Sequence, residues 1–217
     1  RMVYNIESVN GIDDHRITVM GSSVSNGQGA TDNHGYAYMF DQLIGARHQD
    51  GLSENPFFIS SIAVNGNNTI NLLDRYSELV NDFSRYVVFG VSLGNEGIHG
   101  ASDQEAVYNQ FANNMQLLIS KAREDGMVPV VMNNYTRTDY NTTDYTFVKN
   151  MNLLIHEWDV PSVNALGTVD DRSGRWATSL RKDDAHPNDE GHRQMMQAIP
   201  PSLFDAIEAG KPLPVRD

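Results

Sequence analysis

Two side chains stand out as able to do chemistry. Ser23 closes the run Gly21-Ser22-Ser23, and His186 lies in Asp183-Asp184-Ala185-His186-Pro187. A serine hydroxyl becomes a nucleophile when a neighbouring base removes its proton, and a histidine with an ordinary pKa of about 6.5 suits that task. The histidine needs an acid to fix its tautomer and to stabilise its charged form. Asp183, three residues earlier, can fold back across one turn to do so, and Pro187 stiffens that turn. Asn95 offers a side-chain amide and Gly66 an unshielded backbone N–H, both able to donate to an oxyanion. Singly, each of these positions also reads as an ordinary turn residue.

The elements that would position them alternate along the chain. Apolar runs at Ile17–Met20, Phe57–Val64, Tyr86–Leu93, Met127–Met132 and Val160–Leu166 read as buried strands. Helical patterns lie between them, at Tyr36–Arg47, around Ile70–Leu79, at Ala106–Glu124 and at Tyr145–Trp158. A last helix over Asp189–Ala209 is broken near Pro200-Pro201. This order predicts an α/β fold: a three-layer α/β/α sandwich around a five-stranded, mainly parallel sheet. The polar clusters follow strands one, two, three and five, so the carboxyl ends of the strands should gather them at one edge. Residues 1–16 read as polar and irregular. We expect one domain over residues 1–210 and a linker or tail over 211–217, which carries Pro212 and Pro214.

Composition narrows the partners. The chain has 217 residues, a net charge of -12 and no cysteine. The charge disfavours nucleic acid and anionic membranes, and the absence of cysteine removes disulfides, thiolate metal sites and cysteine nucleophiles. No apolar run approaches a membrane span, and no signal peptide is visible. The chain opens on Arg1, which suggests a mature or trimmed product. The compartment stays open, with a secreted or periplasmic bacterial setting favoured.

The combination of blocks resembles the SGNH hydrolases, a branch of the GDSL-type esterases and lipases. Gly21-Ser22-Ser23 stands where that family usually has Gly-Asp-Ser, so Ser23 takes the nucleophile position. Gly66, within Asn65-Gly66-Asn67-Asn68-Thr69, matches the second block, and Asn95 the third. Asp183 to His186 matches the family's Asp-x-x-His. Aligned on the asparagine, Leu93 stands at the family's glycine, and Glu96 at its usual aspartate. The resemblance spans residues 17 to 209. It implies an oxyanion hole from the backbone of Ser23 and Gly66 with the Asn95 amide, and no cofactor. The run Ser-Leu-Gly-Asn-Glu-Gly resembles bacterial members often fused to a lectin-like module, which implies such a module after the proline-bearing tail.

Other motifs fit less well. The segment Gly21–Ser25 lacks the second glycine of a Gly-x-Ser-x-Gly elbow, and Gly21–Gly27 lacks the Gly-Lys-Ser/Thr ending of a P-loop. His186 and His192 have no third ligand at a metal-binding spacing, so no metal is expected, and His192 reads as a structural residue of the last helix. His15, His34, His48, His99 and His156 have no evident partner in the sequence. The loops after strands four and five, Asn133–Asn141 and the stretch with Arg172, Arg175, Trp176 and Arg181, are expected to overhang the site. Tyr135 and Trp176 are candidates to touch substrate. The resulting expectation is a serine esterase that removes short acyl groups, most simply acetyl, from a carbohydrate. The alternatives are a generalist short-chain esterase, thioesterase or lysophospholipase and, from another class, a non-catalytic carbohydrate-binding domain.

Overall fold

The computed structural model describes residues 11–213. Five parallel strands, β1 (Asp13–Gly21), β2 (Phe58–Ser61), β3 (Ser84–Gly90), β4 (Val128–Met132) and β5 (Ser162–Val163), lie in the order β2-β1-β3-β4-β5. Side chains alternate across the strands, so consecutive residues feed opposite layers. Tyr86 and Val88 of β3, with Val130 and Met132 of β4, enter one core. Val87 and Phe89, with Val131, enter the other.

Helices cover both faces. On the first lie α1 (Tyr36–Gln49), α8 (Asp189–Gln197) and α9 (Leu203–Glu208), which bury Tyr36, Phe40, Ile44, Met195 and Phe204. On the second lie α2 (Thr69–Asp74), α3 (Tyr76–Val80), α5 (Gln104–Glu124) and α6 (Thr142–Glu157). Along α5 the buried residues Phe111, Met115, Leu118, Ile119 and Ala122 recur at three- and four-residue steps, the single stripe that a helix docked on a sheet requires. Two short helices, α4 (Leu93–Glu96) and α7 (Leu166–Val169), sit at the carboxyl edge of the sheet. This is the α/β/α architecture expected from the alternation of elements. Among the described residues no helix is long and apolar enough to cross a membrane.

Element ends differ from the sequence expectations for identifiable reasons. β1 starts at Asp13 because backbone pairing with Ser84 precedes the apolar run. β3 stops at Gly90, whereas the apolar run continues to Leu93. That residue is fully buried on α4, so hydrophobicity alone could not mark the strand's end. β2 and β5 are shorter than their apolar runs, and Leu166 begins α7. The helical pattern after β2 divides at Arg75, and the loop Thr168–Asp184 contains the end of α7 and a 3-10 turn at Thr178–Leu180. α5 and α6 start earlier than their apolar residues, because Asp103 and Asn141 cap them by accepting backbone N–H bonds. The last helix divides around Pro200-Pro201 as expected. Residues 1–10 and 214–217, including most of the anticipated tail, lie outside the described residues.

Candidate active site

Ser23 sits just past β1, in a turn that folds back over the ends of the central strands. Ser25 Oγ donates to the Gly90 carbonyl at 2.7 Å and so receives the Tyr36 hydroxyl hydrogen at 2.9 Å. This close return explains two glycines: a Cβ at Gly21 or Gly90 would lie 2.3 Å from Ser25 Oγ. Ser23 is 8% exposed and lines the cavity at this edge.

His186 approaches from the other side of the cavity. Its Nε2 lies 3.0 Å from Ser23 Oγ, and its Nδ1 lies 2.9 and 3.0 Å from the two Asp183 oxygens. Asp183 Oδ1 also accepts the backbone N–H groups of Ala185 and His186, at 2.8 and 2.9 Å. Burial pushes the Asp183 carboxyl up, but these hydrogen bonds and His186 outweigh it, and the net shift is below the ordinary carboxylate value. An ionised carboxylate only accepts, so His186 Nδ1 carries the ring proton and Nε2 presents its lone pair to the Ser23 hydroxyl. The loop is fixed from behind: the Asp184 carbonyl accepts from Thr138 N–H and Trp176 Nε1–H, at 2.9 and 3.2 Å. The Asp184 carboxylate turns elsewhere, 3.8 Å from Arg181.

The opposite wall carries Asn95 and Gly66. Asn95 Oδ1 accepts from Ser92 N–H at 3.0 Å, from Ser92 Oγ and from the Tyr135 hydroxyl, both at 3.2 Å. A backbone N–H can only donate, so the atom facing it is the amide oxygen, and the Asn95 NH2 is left for the cavity. Burial holds the Tyr135 phenol above its ordinary pKa, against the nearby Ser92 and Ser22 hydroxyls and Arg137, so it remains a donor to Asn95. Gly66 has a left-handed φ of +80°, which glycine adopts without strain. Neither its N–H nor that of Ser23 has a protein acceptor among the described residues. Gly94, directly before Asn95, is required by crowding: a Cβ there would lie 2.6 Å from the Tyr140 hydroxyl and 2.8 Å from Arg137 Cδ.

Between the two walls is a cavity of about 280 Å³, lined by Ser23, Gly66, Asn95, Tyr135, Arg137 and His186 together with Gln28, Ser92, Gly94 and Ala185. The structure therefore brings Ser23, Gly66, Asn95, Asp183 and His186 to one place, and Tyr135 with them. Trp176 lies elsewhere: it is 2% exposed, stacks behind Tyr135 at 5.9 Å and does not line the cavity. Arg172, Arg175 and Arg181 do not line it either. Gln28, Ser92 and Arg137 had no motif to mark them. Arg137 comes closest to a sequence signal, as a cation among aromatic and amide residues.

The remaining histidines divide between structural and peripheral roles. His192 is fully buried; its Nδ1 accepts from Tyr36 N–H at 3.2 Å and its Nε2 donates to the Gln28 carbonyl at 3.0 Å. Both of its nitrogens, like both of His186, are engaged within the protein. His99, partnerless in the sequence, binds Asp144 at 2.7 Å. Among the described residues no three His, Asp or Glu side chains gather in a way that could hold a metal ion.

As a chemical device, the site can move a proton from Ser23 to His186 while several N–H groups face the cavity. Comparison with known proteins agrees with this geometry at the level of the fold. The acetylxylan esterase Axe2 from Geobacillus stearothermophilus superposes with a TM-score of 0.68 at 13% identity, over 86% of this chain and 93% of that one. The lipase Lip_vut3 from a goat rumen metagenome gives 0.68 at 14%, over 84% and 94%. The psychrotrophic esterase EstA from a Pseudoalteromonas species gives 0.64 at 15%, over 91% and 98%. No curated protein matches the sequence significantly. The sequence model of the GDSL-like lipase/acylhydrolase family matches residues 19–194, which contain every element of the site, and the chain belongs to that family.

Proposed function

We propose that the protein is a serine esterase that removes short acyl groups, acetyl above all, from a carbohydrate. The observation that carries the reading is the unbroken relay from Ser23 Oγ through His186 to Asp183, with links of 3.0 and 2.9 Å. Ser23 attacks the ester carbonyl as His186 takes its proton. The oxyanion that forms is held by the N–H groups of Ser23 and Gly66 and by the Asn95 amide. The C–O bond to the alcohol then breaks, and His186 returns the proton to that oxygen. Water, activated by the same histidine, cleaves the acyl-serine and frees the acid.

The cavity supports the choice of ester. Its volume is at the low end for small-molecule sites, and its wall offers Gln28, Ser92, Asn95 and Arg137 rather than an apolar trough. A long acyl chain derives its binding from buried methylenes, about 0.8 kcal/mol each. Arg137 is held by Asp139 through Nε and Nη2, at 2.9 and 2.7 Å, and its Nη1 has no acceptor among the described residues. A fixed guanidinium with a spare edge suits a substrate rich in oxygen. That one similar fold belongs to an acetylxylan esterase is in keeping with this choice. The test is acetate release from acetylated oligosaccharides, measured beside aryl acetate and a series of longer esters. Acetylated glycans should give the highest kcat/KM. Activity that climbs with chain length beyond about eight carbons, without acetate from any glycan, would overturn the carbohydrate assignment.

A further inference from the structure

Next to Asn95 lies a buried carboxylate that the chemistry described above does not use. Glu96 ends α4, is 9% exposed and does not line the cavity. Its Oε2 accepts the Thr69 N–H at 3.0 Å, and its Oε1 accepts the Thr69 hydroxyl at 2.6 Å and Gln110 Nε2 at 2.7 Å. Thr69 Oγ1 in turn accepts from Asn114 Nδ2 at 2.9 Å. Thr69 is the first residue of α2, three residues after Gly66, and Gln110 and Asn114 are one turn apart on α5. Glu96 thus ties three segments together: the helix that presents Asn95, the turn that presents Gly66, and the long helix behind both.

The consequence is geometric. Two oxyanion donors come from loops after different strands, β2 and β3, which are not neighbours in the sheet, since β1 lies between them. Strand pairing therefore does not fix the separation of the two donors directly. A carboxyl group held by several buried donors has little freedom to move. Misplacing a donor by about 1 Å can cost as much as a hundredfold in rate.

We propose that Glu96 and Thr69 form a positioning clamp that sets the distance between the Gly66 and Asn95 donors, so that they act on kcat without touching substrate. The inference rests on the oxyanion roles proposed above, and the experiment separates the two. Thr69→Val keeps the shape of the side chain and removes the hydroxyl link, whereas Thr69→Ser restores it. Each variant is assayed on aryl acetate, with the active fraction counted by labelling with a serine-directed phosphonate, so loss of folded protein does not enter kcat. Thr69→Val should lower kcat about five- to twentyfold with KM within about twofold, and Thr69→Ser should stay within about twofold of wild type. In an Asn95→Ala background, Thr69→Val should cost less than about twofold more, because the clamp then has one donor fewer to place. Glu96→Gln, which can still accept from Thr69 N–H, should repeat the kcat effect of Thr69→Val. A kcat unchanged in both Thr69→Val and Glu96→Gln, a loss confined to KM, or full additivity with Asn95→Ala would overturn the clamp. If Asn95→Ala alone kept its kcat, the oxyanion assignment itself would fail.

Discussion

The two walls of the cavity, to which we assign the proposed proton relay and the proposed oxyanion hole and which we call the relay wall and the oxyanion wall, are built by opposite strategies. Asp183 and His186 belong to one five-residue loop, and three N–H groups of that same loop meet one carboxylate oxygen. The loop lies near the surface, with the Asp183 side chain half exposed. The oxyanion wall is assembled from the segments after β1, β2 and β3, and its supports, Glu96, Thr69 and Asn134, are buried. Asn134 Oδ1 accepts the Leu93 N–H at 2.6 Å, and its own amide is held by Asn152 of α6. A local device can be specified by a short motif. A wall made of distant segments must be specified by the fold. The first is expected to fail sharply when one side chain changes, and the second to degrade in steps.

The largest effect should come from the atom both walls face. Ser23→Ala removes the attacking oxygen, and the expected loss in kcat is at least about a thousandfold, with the thermal midpoint nearly unchanged. Retention of more than a tenth of wild-type turnover would remove Ser23 from the mechanism. Phosphonate labelling should likewise disappear in this variant and stay confined to Ser23 in the wild type.

The relay wall is tested next by choosing between adjacent aspartates. Asp183→Asn leaves the loop backbone a similar acceptor but no longer enforces the His186 tautomer, so a loss of about a thousandfold or more is expected. Asp184→Asn should stay within a few fold, because among the described residues that carboxylate meets only Arg181, across 3.8 Å. Because the Asp183 pKa lies below its ordinary value, the carboxylate stays ionised as pH falls through the weakly acidic range. Its contribution to stability is present above the unfolded carboxylate pKa of about 3.9 and is lost only as pH drops toward the lower folded value. Equal losses at the two positions would reassign the orienting acid.

These differences in construction decide what could be read from the sequence. His186 and Asp183 were legible because three residues span one turn, and Ser23, Gly66 and Asn95 because each follows an apolar run that becomes a strand of one parallel sheet. Glu96 was legible only as a departure from a family pattern, since its partners Thr69 and Gln110 are 27 and 14 residues away. The loop after β4 misled most. Its amides and hydroxyls were expected to overhang the site, and Tyr135 and Arg137 do line the cavity, yet Asn133, Asn134 and Thr136 are fully buried. Asn133 holds the Ala165 N–H, and Asn134 the Leu93 N–H. Polar composition cannot distinguish a side chain that faces water from one that satisfies a distant backbone donor. Trp176 failed for the same reason, because its indole N–H serves the Asp184 carbonyl inside the protein.

A smaller effect is expected on the oxyanion wall. Asn95→Ala removes one donor of several, so kcat should fall about a hundredfold while KM stays within a few fold. A change in KM alone would make Asn95 a binding residue, and the contrast between the walls would then lose its chemical meaning.

The smallest effect concerns the seam where the walls meet. His192 of α8 holds the Gln28 carbonyl and the first N–H of α1, and so joins the helix behind His186 to the turn that carries Ser23. Burial lowers its pKa; the Gln28 carbonyl and Asp189 offset that only in part. The ring is therefore neutral in the folded protein, with Nδ1 accepting and Nε2 donating. The unfolded chain binds a proton here near pH 6.5, and the folded chain resists it. Stability from this residue is thus complete above the unfolded value and declines as pH falls below it toward the lower folded value. His192→Gln, which is neutral at every pH, should destabilise the protein at pH 8 by about 1–3 kcal/mol, the cost of disturbing buried hydrogen bonds. Between pH 8 and pH 5 the gap in thermal midpoint between wild type and variant should narrow, because only the wild type carries the proton-linked penalty. A gap that stays constant over that range would mean that the fold leaves the His192 pKa unshifted, and a gap that widens would mean that the folded protein takes up the proton more readily than the unfolded chain and holds His192 charged. In the second case the hydrogen bond from Tyr36 N–H to its Nδ1 could not exist.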